Sequence, residues 1–139
     1  MPALERLRGL RVVADPAALD GARWTGDRTP TGSAVGDVTV LRFSPDEAFA
    51  IGARHVDIDD EHAIVEEERG FVGTWCSAGE AVDIERRIEW AFEDFGMLAQ
   101  GSIAGVPAKL LWPRDGERFL VVTAAAYAHE LEERLGWRS

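Results

Sequence analysis

Between residues 38 and 53 the chain carries the pattern of a β-hairpin. The run VTVLRF (38–43) alternates, placing Val38, Val40 and Arg42 on one face and Thr39, Leu41 and Phe43 on the other, the two-residue period of a strand. Ser44-Pro45-Asp46-Glu47 follows, and proline at the second position of a four-residue turn presets the backbone for reversal. Phe49 and Ile51 then alternate again, so 48–53 reads as the returning strand. A short helix is the alternative, because Ser44-Pro45 also resembles a helix cap.

More strands of the same short kind follow. Residues 63–67 and 70–75 are candidates, as are 96–103 and 106–112, the last two joined by a tight turn at Ala104-Gly105. Asp115-Gly116, between Trp112 and Phe119, is a strong hairpin signal. The run FLVVT (119–123) is apolar at nearly every position, the mark of a strand buried on both faces.

Two helices interrupt these strands. Ser77-Ala78-Gly79-Glu80 has the form of a capping box. Behind it, Ala81, Ile84, Ile88 and Ala91 recur at helical spacing, and Asp83 and Arg87 stand four apart in the favourable order, giving a helix over about 78–91. A second helix spans 124–135, with Tyr127, Leu131 and Leu135 on one stripe, Glu130 four before Arg134, and Gly136 placed to close it. Strands paired by hairpins with two main helices on one face define an α+β fold with an antiparallel sheet.

The first third is less regular. Leu4, Leu7 and Leu10 recur every three residues, which suits a short helix, while 10–13 equally suits the opening of a strand. Asp15-Pro16 has helix-start chemistry, with Gly21 able to close two turns. Residues 20–37 are dense in Gly, Thr, Asp and Pro and read as a loop or hinge. At 139 residues, the chain has the size of a single domain, 1–139.

Charge narrows the function classes. Fifteen Lys and Arg against 25 Asp and Glu leave a net charge of −10, which argues against nucleic acid, since phosphate binding needs a basic face. The acids gather at 57–68 and 130–133, marking solvent faces and placing any partner surface on the less charged side, around the strands of 97–123. The single cysteine, Cys76, suits a reducing compartment. Neither a signal peptide nor a bilayer-length apolar run is visible, so the expected location is the cytoplasm, with no membrane association. Fourteen of the 15 basic residues are arginine, as in GC-rich genomes, and a bacterial source is expected.

Candidate chemistry is sparse. If 55–59 is extended, His55, Asp57 and Asp59 project to one side, and with His62 nearby they suggest divalent-metal ligands; the competing reading of 55–61 is a solvated acidic loop. Glu66 to Glu68 and the glutamates at 130, 132 and 133 read as solvated faces rather than acid–base pairs. Cys76, at the start of a helix but without a positioned base, reads as a buried inert thiol. No phosphate loop and no catalytic constellation is present. Trp24, alone in a Gly-rich loop, is the aromatic best placed for a ligand pocket; Trp75, Trp90, Trp112 and Trp137 read as core.

From Thr29 onward the order of features resembles the gamma subunit of heterotetrameric sarcosine oxidase, which belongs with the folate-binding domains of the aminomethyltransferases. The matching pieces are TPTGSAVGDVTVLRFSPDEAFAIG (29–52), SAGEAVDIERRI (77–88), GMLAQGSIAGVPAKLLW (96–112) and RFLVVTAAAYAHELEERL (118–135). The resemblance implies an accessory or assembly domain with no catalytic residues and no cofactor of its own, packed against larger subunits that carry flavin. A protein partner or a homo-oligomer is therefore expected. The stretch 52–70 departs from the family, being acidic where the family has a longer helical connection, and no position matches the acidic anchor of the folate enzymes. The alternative is a free-standing small-ligand or divalent-metal-binding domain that uses the acidic segment 55–62.

Overall fold

The computed structural model describes residues 3–26, 38–77, 79, 80, 84, 98–111 and 118–137. In chain order these form β1 (Glu5–Arg6), β2 (Gly9–Val13), α1 (Pro16–Asp20), β3 (Arg23–Gly26), β4 (Thr39–Ser44), β5 (Glu47–Ile51), β6 (Ala53–Asp57), β7 (Ile64–Glu68), β8 (Phe71–Ser77), β9 (Leu98–Ile103), β10 (Val106–Leu111) and β11 (Arg118–Ala124). A 3-10 turn (Ala125–Tyr127) and α2 (Ala128–Leu135) complete them. The strand pairs are antiparallel throughout, so the fold is α+β on antiparallel sheets. The chain divides into two compact units, Leu7–Arg69 and Met1–Arg6 with Gly70–Ser139.

In the Leu7–Arg69 unit, a four-stranded sheet runs in the order β4-β5-β2-β7, and β3 pairs with β6. The hairpin β4–β5 turns at Pro45-Asp46, and 47–51 is strand, not helix. Fully buried Leu41 and Phe49 come from this hairpin. Val12, Ala14, Leu19 and Ala48 form a core cluster against which Leu10, Trp24, Val56, Ile58 and Ala63 pack. Pro16 opens α1, but the Asp15 side chain does not cap it. Arg42 ties this helix to the hairpin: its guanidinium donates to Asp20 Oδ1 at 2.9 Å and to the carbonyls of Pro16, Ser44 and Pro45.

The second unit holds a five-stranded sheet in the order β1-β8-β11-β10-β9. Five consecutive residues of β11, Phe119 to Thr123, are buried, as the unbroken apolar run required. Thr123 is the polar exception, and its hydroxyl donates to the Pro107 carbonyl at 2.7 Å. Ala104 and Gly105 both have positive φ (51° and 80°), the type I′ arrangement that matches strand twist in a two-residue hairpin. Leu131 and Leu135 of α2 enter the core with Cys76, Ile84, Ile103, Leu110 and Phe119. Arg134 pairs with Glu130 and donates to the Ala104 carbonyl at 2.6 Å, fastening the helix to the β9–β10 turn. Gly136, at φ 72°, ends the helix, and the Trp137 amide returns to the Glu132 carbonyl.

The helix foreseen over 124–135 begins at Ala128, because β11 continues through Ala124 and a 3-10 turn intervenes; Tyr127 is consequently exposed. Of the helix foreseen over 78–91, Gly79, Glu80 and Ile84 are helical, and the rest, with the Asp83–Arg87 pair, lies outside the described residues. The capping box itself is formed: Ser77 N–H and Oγ–H donate to Glu80 Oε1 at 2.9 and 3.0 Å, and the Glu80 amide returns to Ser77 Oγ at 3.4 Å. The loops expected at 20–37 and 55–61 each contain strand, since β3 and β6 pair with one another through Trp24↔Val56 and Thr25↔His55. Residues 27–37 and the Asp115-Gly116 turn lie outside the described residues.

Candidate functional site

The acidic segment has a specific structural task. Asp60 accepts the Asp15 amide on Oδ2 at 2.8 Å and the His62 amide on Oδ1 at 2.9 Å, joining the start of α1 to the turn that leads into β7. These backbone donors hold its carboxyl below the usual aspartate range. His55 and Asp57 are exposed on β6, alternating with half-buried Val56 and Ile58, as an extended segment requires. His62 is also exposed, its Nε2 3.4 Å from Glu61 Oε1. Among the described residues, no three His, Cys, Asp or Glu side chains are grouped to hold a metal ion.

Cys76 on β8 is buried, and loss of water pushes its thiol up to about 12, with Glu80 adding to the effect and Arg118 opposing it. A thiolate is therefore strongly disfavoured at neutral pH, which removes it as a nucleophile. Trp24 is half-buried against its unit's core. Trp137 packs on the core of the other unit, whereas Trp75 is exposed with the Arg118 guanidinium 5.9 Å from its ring centroid. Trp90 and Trp112 lie outside the described residues. The large exposed apolar side chains among the described residues are Val40, Ile64, Val65, Trp75 and Tyr127. None belongs to β9, β10 or β11, the strands on which a partner surface was expected.

One site escaped sequence reasoning. In the Leu7–Arg69 unit, a cleft of about 490 Å³ is lined by Arg8 to Leu10 at the start of β2, Gly52 to Arg54 at the β5–β6 turn, and Glu67 with Arg69 at the end of β7. Register explains this convergence. Gly9 stands opposite Ile51 on one side and Glu68 on the other, so the residues just beyond each strand end, Arg8, Gly52 and Arg69, meet at one end of the sheet. The Gly52 amide donates to the Arg8 carbonyl at 2.7 Å and pins the turn there, with Gly52 at φ 86°.

The cleft is electrostatically organised. Arg69 Nε and Nη2 donate to Glu67 Oε1 at 3.0 and 2.7 Å. This pairing, joined by the fields of Arg54 and Arg8, holds the Glu67 carboxyl below the usual range. Arg69 thus engages this carboxylate directly, while the charges of Arg54 and Arg8 lower its pKa further. No motif announces such a site, because its cations are 46 and 15 residues apart in sequence; only the pairing of β2 with both β5 and β7 assembles them.

A small α+β chain of two antiparallel-sheet units is the class of protein this architecture defines. No protein-family model and no curated protein matches the sequence. Among solved structures, a chain of heterotetrameric sarcosine oxidase from Corynebacterium sp. U-96, in complex with pyrrole 2-carboxylate, is similar with a TM-score of 0.63 and 13% identity. The match covers 96% of this chain and 83% of that one, and at that identity it shows a shared fold.

Proposed function

We propose that this protein is a non-catalytic accessory or assembly subunit that packs against larger, flavin-bearing subunits of an amine oxidase of the sarcosine oxidase kind. The observation that carries the reading is the likeness in fold to a chain of a heterotetrameric enzyme, over 96% of this chain and 83% of that one. The chemistry of the described residues is consistent with it. The thiol is buried and held protonated, and Glu130 is engaged by Arg134 on an exposed helix face. Exposed Ile64 and Val65 on β7, at the edge of the four-stranded sheet, offer apolar surface of the sort that subunits bury.

The reading is tested by omission. The larger oxidase subunits of the same organism, expressed with and without this chain, are compared for assembly and turnover. The expected result is that the chain alone shows no oxidase turnover and that the larger subunits fail to reach their full assembly without it. Equal assembly and activity in its absence contradict the proposal.

A further inference from the structure

Among the described residues, β7 ends the four-stranded sheet and pairs with β2 alone. Consecutive residues of a strand point to opposite faces, so a strand packed on one face alternates buried with exposed positions. β7 does not alternate. Ile64 is 54% and Val65 43% exposed, and Glu66 and Glu67 are exposed as well, so both faces of this strand stand open, apolar residues included. The direction of its backbone groups follows from the bonds of β2. The Ala14 amide donates to the Asp46 carbonyl and the Gly52 amide to the Arg8 carbonyl, which aims the even-numbered residues of β2 at β5. Backbone groups of successive residues alternate sides in an antiparallel sheet, so Gly9, Arg11 and Val13 bond to Glu68, Glu66 and Ile64. The N–H and C=O of Val65 and Glu67 therefore project outward, and among the described residues nothing bonds to them.

Charge selects what can pair there. Glu67 is held by Arg69, and Glu68 Oε1 lies 3.9 Å from Arg11 Nη1, whereas Glu66 has no ion-pair partner among the described residues. A second copy of this edge does not supply one. Antiparallel pairing of two copies through Val65 and Glu67 sets Glu66 opposite Glu66, Glu68 or Ile64 of the other copy, never opposite a cation, and like charges placed opposite are destabilising. We propose that the outer edge of β7 takes an added strand from a larger partner subunit. That strand sets apolar side chains against Ile64 and Val65 and a lysine or arginine opposite Glu66. The proposal rests on the accessory-subunit reading and gives it a mode of attachment. Main-chain bonds to Val65 and Glu67 hold the strand, and the charge of Glu66 sets its register and excludes acidic competitors. The run of glutamates meanwhile keeps copies of the edge from joining one another.

The test has two arms. In the first, residue-resolved amide exchange of the full chain is followed with a short peptide of valines and threonines around a central lysine, and with the same peptide carrying glutamate in place of the lysine. The lysine peptide is expected to slow exchange at Val65 and Glu67 by about tenfold at saturation, the glutamate peptide to leave it unchanged, and Glu66→Lys to reverse that preference. Val65→Pro removes an outward amide and no bond to β2, so it abolishes the response while keeping the thermal transition of the parent. In the second arm, the larger oxidase subunits are co-expressed with the parent chain, with Val65→Pro and with Val65→Thr; assembly is expected with the parent and Val65→Thr and not with Val65→Pro. If Val65→Pro unfolds, Glu66→Lys takes its place in both arms. Assembly that survives the substitution overturns the added strand and leaves the accessory reading standing. Absence of assembly with the parent chain overturns the accessory reading, and the peptides then decide the edge by themselves. No slowing at Val65 and Glu67 by either peptide, or equal slowing by both, overturns the proposal.

Discussion

A Cβ built on Gly9 would stand 2.0 Å from the Ala50 carbonyl oxygen, across the β2–β5 pair. That distance is far inside contact, and the obstacle is backbone, so no rotamer change relieves it. Glycine in a strand interior ordinarily weakens the strand; here it permits the close approach that lets β2 lie between β5 and β7. Gly9→Ala is therefore predicted to lose about 3 kcal/mol of stability through forced separation of the strands, read as a lower urea midpoint. An unchanged midpoint would show that the sheet is looser than the geometry implies.

Arg42 makes its contribution by number of bonds. Its guanidinium joins Asp20 to three backbone carbonyls that α1 and the β4–β5 turn leave available. Hydrogen bonds from a charged donor are worth more than neutral ones, and Arg42→Ala is expected to cost about 2 kcal/mol in chemical denaturation. Arg42→Lys retains the charge and not the fork, and should recover less than half of that loss.

Acid sensitivity follows from the carboxylates with depressed pKa values, two of which are held by backbone amides. The Asp15 and His62 amides lower that of Asp60, and the Ser77 amide lowers that of Glu80. A group whose folded pKa is depressed adds stability above its unfolded value, and the gain is lost as pH falls through the folded value. The ordinary values are 3.8 for Asp and 4.5 for Glu, so stability should hold above about pH 4.5 and decline below it. Asp60→Asn and Glu80→Gln each flatten that decline when thermal midpoints are followed from pH 6 to pH 3; identical acid limbs in variant and parent would count against these bonds.

The thiol offers a chemical readout. Burial raises the Cys76 pKa to about 12, so a thiol-specific reagent at pH 8 should label the folded protein negligibly and the urea-unfolded protein stoichiometrically. Rapid labelling of the folded chain would mean that β8 opens or that the thiol is not enclosed. Cys76→Val keeps an apolar side chain at this core position and should leave the fold intact.

Local chemistry was readable in the letters and long-range pairing was not. Ser77 and Glu80 form the reciprocal cap that their spacing implies, the Phe119–Thr123 run is buried on both faces, and Ala104-Gly105 makes the turn expected of it. Each of these depends on residues a few positions apart. Arg23–Gly26 and His55–Asp57 instead read as loop because both are polar and short; they become strand through pairing with one another, at a separation of about thirty residues. The arginine cleft was hidden for the same reason, since Arg8, Arg54 and Arg69 are neighbours only through the register of β2. Asp60, read as one acid among many, makes a local turn bond to the His62 amide and is set apart by the Asp15 amide, 45 residues away, which no spacing rule connects to it.

The central claim, an accessory subunit within a larger flavin-bearing oxidase, is tested most directly by the mass of the protein purified under native conditions from the organism that encodes it, with its visible absorption recorded on the same sample. The account predicts a particle several times heavier than the 15.2 kDa chain, holding larger polypeptides in fixed ratio and showing a flavin spectrum. A colourless particle composed of this chain alone would contradict it.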